Sequence, residues 1–138
     1  MEGVALVYGP TTDTGYILVS CQGVSAFNVY ERSPPHEFVM RFSLGESTNG
    51  NVDEVTNTDG IAAAGVSLGK EFPWGIVVVH DDVNEVPGGG VDEEVSFKIV
   101  GLEMILGNKG LGPLGKDLLQ GVGHGWDPRA QESNTPGA

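Results

Sequence analysis

Short apolar runs rich in β-branched and aromatic residues, each closed by Gly, Pro, Asn or Asp, recur along most of the chain. Side chains alternate between the two faces of a strand, so such runs fold as strands and the breaks between them as turns. The first four runs are Val4 to Tyr8, Tyr16 to Cys21, Ala26 to Tyr30 and Phe38 to Leu44. Gly9 to Gly15, Gln22-Gly23 and Arg32 to Pro35 separate them. Four strands joined by short turns make one antiparallel meander, the size of a single propeller blade. The 22 glycines among 138 residues suit a chain with many tight turns.

After a polar stretch from Glu46 to Asn57 the pattern restarts. Glu2-Gly3-Val4-Ala5 returns as Asp59-Gly60-Ile61-Ala62, 57 residues on. Gly15 to Val19 returns as Gly75 to Val79 at 60 residues, and Ala26 to Val29 as Ser96 to Ile99 at 70. A repeat whose offset grows inside loops is expected of propeller blades with loops of different length. The fold class expected is therefore all-β, with blade one over about residues 2–45 and blade two over about 58–129. Blade two shows three strand signals, then a Gly- and Leu-rich stretch with a short helix expected around Leu114 to Gln120. Propellers often complete the last blade with a strand from the N-terminal end of the domain, which here would lie upstream of Met1. Residues 130–138 read as a disordered tail.

The net charge of −12 argues against nucleic acid or an anionic membrane bound through a basic face, and suits a protein that gathers cations. A solvated acidic surface is the plainer alternative. Cys21 is the only cysteine, which rules out an intrachain disulfide and a Cys-based zinc site; its apolar surroundings read as a small buried hydrophobe. No run reaches the ~18 apolar residues of a membrane span. The opening Met1 to Tyr8 lacks the basic and long apolar regions of a signal peptide.

Two acidic stretches carry candidate chemistry. Asp53-Glu54-Val55-Thr56-Asn57-Thr58-Asp59-Gly60 offers hard oxygen donors to calcium, though not at the spacing of a helix–loop–helix calcium loop. In isolation it also reads as a solvated loop closed by an Asp59-Gly60 turn. His80-Asp81-Asp82-Val83-Asn84-Glu85 follows the strand Ile76 to Val79, and Pro87 to Gly90 gives the chain freedom to fold round a cation. Gly110 to Lys116 has the spacing of a phosphate-binding loop. However, Asp117 replaces the Ser or Thr that holds magnesium, and Pro113 removes an amide donor. His36, His80 and His124 are too scattered for a zinc site.

Several stretches, in order, resemble β-propeller phytases. Glu2-Gly3, Ser20-Cys21-Gln22-Gly23 and Tyr30-Glu31-Arg32 resemble that family's E-G, S-x-Q-G and Y-x-[DE]-R segments. Asp53 to Gly60 resembles its D-G-T-S-D-T-D-G stretch, and Leu68-Gly69 with Phe72-Pro73-Trp74-Gly75 its L-G-x-x-[FY]-P-x-G. Asp81 and Asn84 match part of a D-G-x-N turn, Phe97 to Val100 an F-K-x-V strand, and Trp126 to Arg129 a common ending. The likeness covers roughly residues 2–129.

The resemblance implies about two blades from the C-terminal part of a six-bladed, calcium-dependent propeller, secreted, that hydrolyses phytate or calcium-phytate. Asp53 and Asp59 match family calcium-site aspartates; Asp81 and Asn84 match a calcium site that mainly supports stability. Glu54, Val55 and Asn57 replace Gly, Thr and Asp in the first loop, and Val83 stands where a ligating Glu is usual. The family's other acidic ligands and its phosphate-binding Lys and Arg belong to earlier blades, so the chain alone is expected to be inactive. The alternative expectation is a non-catalytic propeller that binds calcium or a partner.

Overall fold

A computed structural model describes residues 1–9, 13–86, 90–92 and 95–106. Its regular structure is almost entirely antiparallel β. The first sheet is a meander of β1 (Val4–Tyr8), β2 (Gly15–Cys21), β3 (Ala26–Glu31) and β4 (Phe38–Phe42), paired in that order. The second pairs β5 (Ile61–Ala64), β6 (Ile76–Asp81) and β9 (Ser96–Gly101). Between the last two strands, β7 (Asn84–Val86) and β8 (Gly90–Asp92) form a small hairpin of their own. A single helical turn, α1 (Leu102–Leu106), follows β9.

Strand boundaries fall within two residues of the apolar runs because alternation decides them. On β2, Tyr16, Leu18 and Ser20 are buried on one face; on β6, Val77, Val79 and Asp81 are. Those faces meet, and Val7, Leu18, Phe27, Val29, Val77 and Val79 share one core with Val55 and the inward side of α1. Emptying such a site costs roughly 2–5 kcal/mol for Leu→Ala, since the surroundings relax only in part. The two sheets stack as neighbouring blades do and do not close on themselves. Val4 and Leu6 remain exposed on the first sheet, and Phe97 and Ile99 on the second.

The internal repeat is visible bond by bond. The Ser20 amide donates to the Gly3 carbonyl at 2.9 Å, and that of His80 to Gly60 at 3.0 Å. The Arg32 amide donates to Gly15 at 3.0 Å, and that of Leu102 to Gly75 at 2.9 Å. Gly15 opens β2 and Gly75 immediately precedes its counterpart β6, with φ of +129° and +107°. A Cβ there would lie 2.1 Å from the Val7 carbonyl oxygen and 2.0 Å from that of Ala64. Only glycine suits both positions.

Two features differ from the sequence reading. The region expected to wrap a cation as a loop contains the β7–β8 hairpin, whose Asn84 is opposite Asp92. A helical turn also begins at Leu102, because Leu102, Ile105 and Leu106 bury one side of it while Met104 stays out. The helix expected at residues 114–120, the ending at 126–129 and the tail at 130–138 lie outside the described residues.

Candidate functional site

The acidic residues gather at the end of the second sheet where β6 stops and β5 and β9 begin. Strand alternation drives Asp81, the last residue of β6, onto the same inward face as Val77 and Val79, and it is fully buried. A carboxylate there is costly unless paired and hydrogen-bonded. Its Oδ1 accepts the Thr56 amide at 2.9 Å, and its Oδ2 lies 3.2 Å from the Lys98 ammonium. That second contact is an ion pair by distance, because no donor among the described residues is well aligned on Oδ2.

Lys98 arrives by the same logic. It sits opposite Val79 in the β6–β9 ladder, on the inward phase of β9, and its side chain is only 13% exposed. Its ammonium donates to Asp53 Oδ1 as well, so one cation holds two carboxylates from different parts of the chain. Burial pushes the ammonium toward its neutral form. The close contacts with Asp53 and Asp81 and the charge of both outweigh that, and its pKa lies above the ordinary 10.5.

The loop from Asp53 to Asp59 is latched to the strand end at further points. The Asp82 amide donates to the Thr56 carbonyl at 3.3 Å, and Asn57 Nδ2 to Asp82 Oδ2 at 2.7 Å. Asn57 takes φ of +48°, a conformation its short polar side chain tolerates. Its amide donates to Ser25 Oγ at 2.9 Å, tying this loop to the first sheet.

Asp59 lies apart from the Asp53–Asp81 pair. Its main-chain carbonyl accepts the Ser20 hydroxyl at 2.7 Å, while its carboxylate is half exposed, with Oδ2 3.9 Å from His80 Nδ1. The His80 ring meets Phe97 edge-on at 5.7 Å, and Nδ1 is buried with no hydrogen bond among the described residues. Asn84 belongs to β7, but its side chain lies outside the described residues.

The structure thus brings Asp53 and Asp81 together and leaves Asp59 beside His80. The sequence pattern assigns no site role to Lys98 or Ser20, nor to the backbone amide of Thr56. Lys98 carried a signal nonetheless, since a lysine in phase with Val100 on a strand must find a partner inside.

Calcium takes six to eight oxygen ligands. Among the described residues no three His, Cys, Asp or Glu side chains gather round one point, and the space between Asp53 and Asp81 holds an ammonium. These residues do not by themselves fit calcium. Asp59 is the site aspartate whose carboxylate remains open to solvent.

A family model described as Phytase matches residues 1–129. Over 105 residues the chain is 36% identical to the 3-phytase of Bacillus subtilis (strain 168), covering 76% of this chain and 26% of that protein. The chain therefore spans about a quarter of the length of this curated relative.

Proposed function

Because the chain belongs to the phytase family, we propose that it supplies two blades of a secreted phosphatase domain that releases phosphate from phytate or calcium-phytate. The observation that carries this reading is a family match running through both sheets and the acidic end between them. Phytate is a dense polyanion, and a chain of net charge −12 repels it unless cations intervene. Calcium is the cofactor this reading requires; when bound, it supplies positive charge to substrate phosphates.

This chain's own residues contribute shape and negative charge at the end where β6 stops and β5 and β9 begin. The Ser20 hydroxyl fixes the Asp59 backbone at the junction of the two sheets, which leaves its carboxylate available to a cation completed by ligands from elsewhere. Asp53, Asp81 and Lys98 hold the neighbouring loop in place. The basic groups that would stabilise charge developing at phosphorus belong, on this reading, to other blades, and loss of such groups typically costs factors of about 10² or more.

The test is phosphate release from phytate in calcium at near-neutral pH. It compares this chain alone with the chain joined to the upstream blades of the Bacillus subtilis relative. Release only from the joined protein is expected, reduced at least about tenfold by Asp59→Ala with the melting temperature unchanged. Turnover by the chain alone would refute a site divided between blades. A joined protein that folds and binds calcium yet releases nothing would overturn the enzymatic reading.

A further inference from the structure

We propose that Lys98 is the resident cation of the Asp53–Asp81 pair, and that this pair fastens the acidic loop to the end of β6 without calcium. The proposal stands whether or not the chain contributes to phytate turnover.

Three observations carry it. Asp81 is fully buried, and the side chains of Asp53 and Lys98 are only 15% and 13% exposed, so all three are withdrawn from bulk water. Lys98 touches both carboxylates at once, and the Thr56 amide takes another Asp81 oxygen. Its backbone is fixed in the β6–β9 ladder opposite Val79, so strand register sets where the side chain starts and keeps the ammonium within reach of both carboxylates. A divalent ion entering between the carboxylates would meet a positive charge in contact with both. It would have to displace a ligand already paid for by strand register.

The arrangement gives Asp81 the stabilising role that the family likeness attaches to a metal at this position. A side chain performs it here, so the loop's order is independent of ambient calcium.

Thermal unfolding of the chain in chelator and in millimolar calcium tests this, with Lys98→Met, Lys98→Arg and Asp81→Asn. Removing one partner of a buried ion pair is strongly destabilising, so Lys98→Met should lower the melting temperature in chelator by about 10 °C. Calcium should recover part of that loss, because the bared carboxylates then need a cation. Lys98→Arg should stay nearer the original protein, and any calcium response of the original protein should persist in Asp81→Asn. A Lys98→Met protein as stable in chelator as the original would overturn the proposal.

If Lys98→Met does not fold, the original protein still decides. The side-chain carboxyl ¹³C shifts of Asp53 and Asp81 should hold still through a calcium titration. Saturable movement of both would show calcium between them, and the proposal would fail.

Discussion

The Ser20 hydroxyl donates to the main-chain carbonyl of Asp59 at 2.7 Å, across 39 residues of chain and between two sheets. The same oxygen accepts the Gly3 amide at 2.8 Å, so one buried side chain joins the start of β1 in its own sheet to the segment that leads into β5 of the next.

Ser20→Ala removes both bonds and leaves the Gly3 amide and the Asp59 carbonyl without their partner. Leaving buried polar groups unmet costs about 1–3 kcal/mol. Urea unfolding should show a lower midpoint with an unchanged slope. Amide hydrogen exchange should quicken at Gly3 and around Asp59 before it does in β3. Unaltered exchange there would show that the two sheets are held elsewhere.

Gly75→Ala is expected to be worse. The position combines φ of +107° with a Cβ that would sit 2.0 Å from the Ala64 carbonyl oxygen, so strain and collision add. The β5–β6 pairing must shift to relieve it, and a loss of several kcal/mol, on the order of 2–4, should appear in the same unfolding measurement. Gly15→Ala should behave alike, since that residue holds the equivalent place in the first sheet.

Alkaline pH should weaken the fold through Lys98. Its pKa is raised by folding despite the burial that opposes it, because Asp53 and Asp81 favour the charged form. The folded protein therefore binds a proton more tightly than the unfolded chain. The resulting stability is fully present below the ordinary 10.5 and is lost as pH rises through the higher folded value. Unfolding free energies of the original protein and Lys98→Met, compared from neutral pH to above about 11, should converge at the alkaline end. A gap of constant size would remove the charge from the explanation.

Much of the fold could be read from the sequence because it rests on short-range alternation. Val4 to Tyr8 and Ile76 to Val79 announce strands, and Gly15 and Gly75 mark where each second strand begins. The site was less legible. Asp53 and Asp59 sit on a loop, where no period says which way a side chain turns, and the structure separates them. Asp81 could have been placed by counting from Val77 and Val79, and Lys98 by counting from Val100, but their meeting depends on the register between β6 and β9. That register is a long-range fact. The β7–β8 hairpin is not legible in the sequence, because Gly88, Gly89 and Gly90 speak for a turn without saying what flanks it.

Ser20 and His80 hold equivalent places on successive sheets, each bonding through its amide to the glycine of the strand beside it. A sheet laid on the second would thus meet the same backbone pattern, though an imidazole stands where the first sheet offers a hydroxyl. Backbone bonding of that kind carries no local instruction for when to stop. The count is decided only by the angle gained per step and by whether the last sheet comes round to the first. A substitution that tilted one step slightly would leave that pair of sheets sound and spoil the circle.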